Sequence, residues 1–423
     1  MVPLRRKDAP ESFSRSCSKG AQVSFLGPFR YRDFTLLWSG LLVGNFGSWF
    51  QFTALGYYVA TLAPDTPTAS FYVGLVGASQ MVAVLAASPY GGVVADRYPR
   101  RRILLITNVT NALISVLLAS AIFAHAGLGA VLVLSGAQAV MQSFDTPARQ
   151  SWVSHLVPPE MLGTALPLNS FAFNMPSVAG PPLAGLLIAV AGIAPCMVIN
   201  GVLRFAVVAA LVLMRPAPPG SGSHASFTDA FVEGVNFIYS HAALRWIFLL
   251  LIVSSLTMRA CTFLLPAYAV HVIQTDARGL GTLMAANGLG AVLGSLAIAA
   301  LSVRRRGRAW FVSASIAALG VAAFGLTASV PLSAAVLVAV GFGTQGFVSM
   351  SNVLMQTLAP DGIRGRLVSI YAMILIGIVP GGALLIGSLA GVVDLRTIFV
   401  GAGLICAVVG CWTYYAHPKL RLA

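Results

Sequence analysis

The sequence predicts an all-α integral membrane protein, with twelve transmembrane helices arranged as two six-helix pseudo-symmetric bundles. Three observations carry that expectation. Hydrophobic residues fill 57% of the 423 positions, charged residues only 9%, and the mean hydropathy is +0.85. That is well above the roughly 45–50% apolar content of a soluble globular domain. Apolar runs of about 20 residues, the length that crosses a bilayer, recur along the chain. The two halves also resemble each other in sequence.

Residues 1–33 are polar and basic, without an apolar core ahead of a small-residue cleavage site. They read as a cytoplasmic tail and not as a removable signal peptide. Apolar runs at 34–62, 70–95, 103–125, 128–144, 162–190 and 195–214 form a first bundle, 34–214. Residues 215–243 open on RPAPPGSGSH, a composition of flexible linkers, and close on a stretch suited to a short amphipathic surface helix. Runs at 244–271, 279–302, 309–328, 331–358, 367–393 and 395–415 form a second bundle, 244–416, followed by a cytoplasmic tail, 417–423.

Basic residues flanking spans are retained on the cytoplasmic side. With the N-terminus inside, 22 of the 26 Lys and Arg fall on the cytoplasmic side, against Arg278 and Arg396 outside and Arg204 and Arg259 within spans. Both termini are therefore expected in the cytoplasm. The net charge of +14 is spread over loops, so no nucleic-acid partner is implied.

Laying SHLVPPEMLGTAL on QTLAPDGIRGRLV, 202 residues later, matches Leu156 with Leu358, Pro158 with Pro360 and Gly163 with Gly365. The same register pairs Gly180 with Gly382 and Gly185 with Gly387. A duplicated six-helix unit in one orientation follows, and parallel repeats place a substrate site near the midplane between the halves.

The stretch GGVVADRYPRRRIL, residues 91–104, puts five charges into positions 96–102, between the second and third spans. Topology alone accounts for arginines there. It does not call for Asp96, or for Gly92 one helical turn earlier. The stretch resembles the Gly-x-x-x-Asp-Arg-x-Gly-Arg-Arg signature of the major facilitator superfamily, with Gly92, Asp96, Arg97, Arg100 and Arg101 matching and Pro99 in place of the second glycine. RYRDFTLLWSGLLVGNFGSWFQ, FDTPARQSWVSHLVPPE and GPPLAG resemble the branch containing the enterobactin exporter and macrolide efflux proteins. This resemblance implies the major facilitator fold and a cytoplasmic gate. In that gate Asp96 docks at the start of the eleventh span, where a helix N-terminus favours a carboxylate, and Arg100 or Arg101 pairs with Asp145. The corresponding loop of the second half, SVRRRGR, lacks the acid, so one latch is expected.

The resemblance also implies that spans 1, 4, 7 and 10, with 2, 5, 8 and 11, line the cavity, while 3, 6, 9 and 12 support them. Span four carries Gln138, Gln142, Asp145 and Arg149, and span ten carries Gln345, Ser349, Asn352 and Gln356, each set on one helix face. Such stripes face either a cavity or other helices by hydrogen bonds. Arg259 lies mid-span in the seventh helix, to bind an anionic group or to meet carbonyls of neighbouring helices. Arg204 lies in the supporting set, which favours a structural role. Candidate cavity residues are Asn45, Trp49, Gln138, Gln142, Asn174, Arg259, Gln345 and Asn352.

Aromatic and methionine side chains with few charges suit a bulky amphiphile. The function expected is secondary active export of a small amphiphilic molecule, a siderophore-like metabolite or drug, with uptake of a nutrient or a non-transporting receptor or scramblase as alternatives. None of the 12 acidic residues is placed at mid-depth, so proton coupling is implied by resemblance alone. No HExxH, GxSxG or GxxxxGK[ST] motif occurs, so no enzyme is expected. The five cysteines have no ligand spacing, and neither metal nor cofactor is expected. The partners expected are a small molecule, protons and membrane lipid, for a monomer in the bacterial cytoplasmic (inner) membrane.

Overall fold

A computed structural model of the chain describes residues 27–153, 156–215, 227–299 and 306–416. The basic tail before residue 27, the Pro- and Gly-rich part of the linker, most of the arginine loop after the eighth span and the last seven residues lie outside the described residues. Helices α1 (Arg32–Thr61), α2 (Thr66–Arg97), α3 (Arg100–Phe123), α4 (Gly127–Val153), α5 (Leu162–Ala191) and α6 (Ala194–Leu213) supply six unbroken rods. The short α7 (Phe227–Ser240) is the linker helix. A seventh rod is built from α8 (Ala242–Leu256), α9 (Met258–Phe263) and α10 (Leu265–His271), followed by α11 (Ala277–Ala299), α12 (Arg306–Gly325) and α13 (Val330–Leu358). The eleventh rod joins α14 (Asp361–Met373) to α15 (Val379–Leu389) through a π turn, Ile374–Ile378, and α16 (Leu395–Ala416) is the twelfth.

Ten of these stretches are long and apolar enough to cross a bilayer. The other two rods are α1, whose 30 residues reach about 45 Å, and the π-interrupted eleventh. The face where α1 begins and α16 ends is called near below, and the opposite face far.

Turn chemistry sets the ends of the rods. Asp65 caps α2 by accepting the Thr68 N–H at 2.8 Å, with a proline in the first turn. That hydrogen bonding holds the Asp65 carboxyl below its ordinary range. The cap is therefore made at neutral pH and lost as pH falls through the lowered value. Pro99 separates α2 from α3 in extended backbone, so the signature loop turns without its second glycine.

The same helix pairings occur in both halves: α2 with α4 as α11 with α13, α3 with α4 as α12 with α13, and α3 with α6 as α12 with α16. Between halves, α5 lies along α11 and α2 along α15. These seams are tight in their far parts. A Cβ at Gly185 would strike the Ala277 carbonyl, and one at Gly387 would strike the Ser70 carbonyl. The second pair of the repeat, Gly180 and Gly382, is crowded within each half: a Cβ at Gly180 would sit 2.7 Å from the Trp49 Cβ of α1, and one at Gly382 2.8 Å from the Leu256 Cα of α8. Between α1 and α10 the imidazole Nε2 of His271 lies 2.9 Å from the Ala60 carbonyl oxygen.

Three expected spans differ in the structure. Helix α4 runs nine residues past the expected end at 144, continuing through TPAR although an interior proline gives up one backbone hydrogen bond. The seventh span is not continuous: Thr257, at φ −110° and ψ −92°, leaves the helical region. The eleventh begins six residues earlier than expected, at Asp361 just after Pro360, and contains the π turn.

Candidate functional site

Inside the first bundle, four helices turn polar side chains toward one another at the same depth. Gln51 of α1 donates to Gln138 Oε1 of α4 at 2.5 Å, and its own Oε1 accepts from Ser115 of α3 at 2.9 Å and Asn200 of α6 at 2.5 Å. Asn200 also donates to the Ser115 hydroxyl at 2.9 Å. Hydrocarbon offers no substitute partners, so the three amides and the hydroxyl bond to each other, leaving only Asn200 Oδ1 among them without a protein partner. Replacing Gln51 by Leu is expected to lower stability by about 1–3 kcal/mol, read as the unfolding midpoint of purified protein in detergent; an unchanged midpoint refutes the coupling.

One turn closer to the near face lies a charged cluster. Because α4 continues to Val153, Asp145 is eight residues inside the helix, about 12 Å from its end, and only 4% exposed. It stands at the end of the apolar span Gly127–Thr146, where the sequence placed it, and the helix carries on beyond it. Its carboxylate meets Arg149 Nε at 3.2 Å and accepts from Asn108 Nδ2 at 2.9 Å and Thr107 Oγ1 at 3.3 Å. Arg204 of α6 donates to Asn108 Oδ1 at 3.1 Å and Ser48 Oγ at 2.8 Å. Arg149 also stacks over the Phe173 ring at 4.2 Å, a cation–π contact.

Two cavities open on these groups. One of ≈ 290 Å³ is lined by Asn45, Trp49, Gln142, Asp145, Arg149 and Arg204 among others. The second, ≈ 320 Å³, is lined by Gln51, Gln138, Gln142, Asn200 and Arg204, with Pro380 from the second half. Ser48, Gln142 and Arg204 belong to both walls. A crevice of ≈ 30 Å³ lies between the halves beside Phe52, Phe263 and Pro266.

Of the candidate cavity residues, Asn45, Trp49, Gln138 and Gln142 line these two cavities. Asn45 also donates to the Ala172 carbonyl at 3.1 Å. Asn174 is exposed on α5 and lines neither. Gln345 and Asn352 pair along their own helix, Gln345 with Ser349 at 3.2 Å and Asn352 with Gln356 at 2.5 Å; Asn352 also meets the Tyr371 hydroxyl of α14, and neither residue lines these cavities. Arg259 donates to the Leu375 carbonyl in the π turn at 3.4 Å and lines neither cavity. Its carbonyl partner matches the structural alternative left open by the sequence. Arg204, assigned a structural role from its helix, stands at the junction of both cavities. Its burial was legible from mid-span position; its orientation was not.

The signature loop is partly visible. Gly92, Asp96 and Arg97 fall on the last turns of α2, and their surroundings lie outside the described residues. Arg100 is buried. Arg101 does not pair with Asp145: its Nε and Nη2 donate to the carbonyls of Leu211 and Val212, at 2.7 and 2.6 Å, closing the near end of α6. Asp145 is instead taken by Arg149 on its own helix.

Two bundles in repeated pairing, sealed by glycine seams at one face and hollow with buried polar groups toward the other, define a multi-pass secondary transporter of the major facilitator class. Solved structures agree on the fold. A D-xylose-proton symporter superposes with a TM-score of 0.72 at 12% identity, covering 93% of this chain and 99% of that one. A bacterial homologue of the lysosomal transporter Spinster, inward-facing and unoccupied, gives 0.71 at 15% identity over 93% and 99%. The chain belongs to the transmembrane secretion effector family, whose model matches residues 23–420. Among its relatives, the multidrug efflux pump Tap of Mycolicibacterium fortuitum is 27% identical over 82% of this chain and 87% of that protein. The staphyloferrin A transporter of Staphylococcus aureus is 22% identical over 89% and 94%, and the enterobactin exporter EntS of Shigella flexneri is 26% identical over 53% and 52%.

Proposed function

We propose that this protein exports a small amphiphilic molecule by alternating access, as a proton-coupled monomer in the bacterial inner membrane with both termini in the cytoplasm. The observation that carries the reading is the polar cavity pair in the first bundle, set beside far-face seams too tight to admit a side chain. The near face is then cytoplasmic, in keeping with the arginines that cluster there, and the described conformation loads from the cell interior. Cargo leaves when the units 34–214 and 244–416 reverse, with Asp96 latching the near face at the start of α14. Full-length similarity to a multidrug pump and to a siderophore transporter supports export and an amphiphilic cargo.

Cells with and without the chain, loaded with fluorescent amphiphiles and with catecholate or carboxylate siderophores, test this directly. Accumulation is expected to fall several-fold in cells that carry the chain and to recover with a protonophore. Equal accumulation in both strains for every compound overturns export, and loss that persists with a protonophore overturns the proton coupling.

A further inference from the structure

The geometry points to an anion subsite on the inner wall of the first bundle, centred on Arg204 and Arg149, so that the exported cargo is an amphiphile bearing an acidic group. This rests on the export reading above.

Charge is the first argument. Asp145, Arg149 and Arg204 line one cavity and sum to +1. Asp145 is already engaged by Arg149, Asn108 and Thr107. Arg204 has only neutral acceptors, Asn108 Oδ1 and Ser48 Oγ, and its Nε has no protein partner. Asp145 acts on Arg204 as well as on Arg149, but one carboxylate cannot neutralise two buried guanidiniums, and an entering anion removes that deficit while making charge-assisted hydrogen bonds.

The second argument is the wall that continues from it. Ser135 Oγ and Asn200 Oδ1, on residues 1% and 2% exposed, have no protein hydrogen-bond partner, and both residues line the ≈ 320 Å³ cavity. Buried polar atoms are rarely left so, and here three of them, with Arg204 Nε, border one cavity. Phe52, Leu55, Met81 and Val84 form an apolar part of that wall. The arrangement fits a carboxylate or sulfonate at Arg204, an amide or hydroxyl against Ser135 and Asn200, and an apolar body toward Phe52. Neither Arg259 nor any other residue of the second half is needed for the charge.

The test is binding, measured apart from transport, to protein in lipid nanodiscs. The probes are 8-anilinonaphthalene-1-sulfonate and N-phenyl-1-naphthylamine, which share their rings and differ in the anion. Tryptophan-to-probe energy transfer, corrected with protein-free nanodiscs, is expected to show the sulfonate preferred about tenfold. Arg204→Gln and Arg149→Gln are expected to bring that preference to within about twofold of unity, while Arg204→Lys keeps most of it. Displacement of the bound sulfonate by 1-naphthaleneacetate, and not by its methyl ester, reads the same property on the unmodified chain, whether or not the variants fold. No preference in the unmodified chain, equal displacement by acid and ester, or folded glutamine variants that keep the preference each overturn the subsite. Lost preference with export intact in cells refutes the subsite alone; preference in a chain that exports nothing refutes the export reading and leaves the subsite supported.

Discussion

Asp145→Leu is expected to be the most damaging single substitution in the first bundle, at about 3–5 kcal/mol. It leaves Arg149, 5% exposed, without its counter-ion and removes the acceptor of Asn108 and Thr107. The leucine fills the volume, so lost packing contributes little. Asp145→Leu combined with Arg149→Leu is expected to recover most of the loss, because an apolar pair of similar size is about as stable as a buried ion pair. Thermal unfolding of both variants in one detergent, followed by far-ultraviolet circular dichroism, decides it. A single variant as stable as the parent, or a double variant no better than the single, contradicts the ion-pair account.

Gly387→Leu is expected to give the largest loss of transport away from the cavity, at least about tenfold. The Ser70 carbonyl occupies the space that a side chain at Gly387 needs, so α2 and α15 must separate on the far face. Gly185→Leu is expected to do the same between α5 and α11, where the Ala277 carbonyl stands in the way. Gly401→Leu on α16 is the control, since nothing lies within 4 Å of its Cβ position. Spin-label distances between the far ends of α2 and α15, read together with export, give the answer: longer distances and lost export for Gly387→Leu, neither for Gly401→Leu. Unchanged distances in the Gly387 variant count against the seam as the closure.

How much of this was legible in the sequence depended on the kind of signal. The fold was, because bilayer length and apolar content are properties of long segments that no single residue can obscure. The repeat register was informative in a way its few identities did not promise: Gly185 and Gly387, paired by offset alone, turn out to occupy equivalent positions at the two seams. Gln138 and Gln142 were found as a stripe, since helical spacing puts them on one face. What was not legible was direction. Asp145 was placed at the end of the fourth span, where the apolar stretch does stop, but its partners Asn108, Thr107 and Arg149 could not be read from spacing. Arg204 was set aside by the class of its helix, when its reach across to Ser48 and Asn108 decides where the guanidinium lies. Arg259 and the α13 polar stripe looked equivalent to their first-half counterparts, and only packing shows the difference.

The break at Thr257 and the π turn at 374–378 are spliced by one hydrogen bond, from Arg259 to the Leu375 carbonyl. The second half thus owns a double elbow, while α1 through α6 are unbroken shafts. The forearm beyond the elbow includes α14, to which α7 is fastened by the Glu233–Arg366 ion pair and by Gly234 seated against Ile370. A displacement of α14 is therefore expected to carry the linker helix with it.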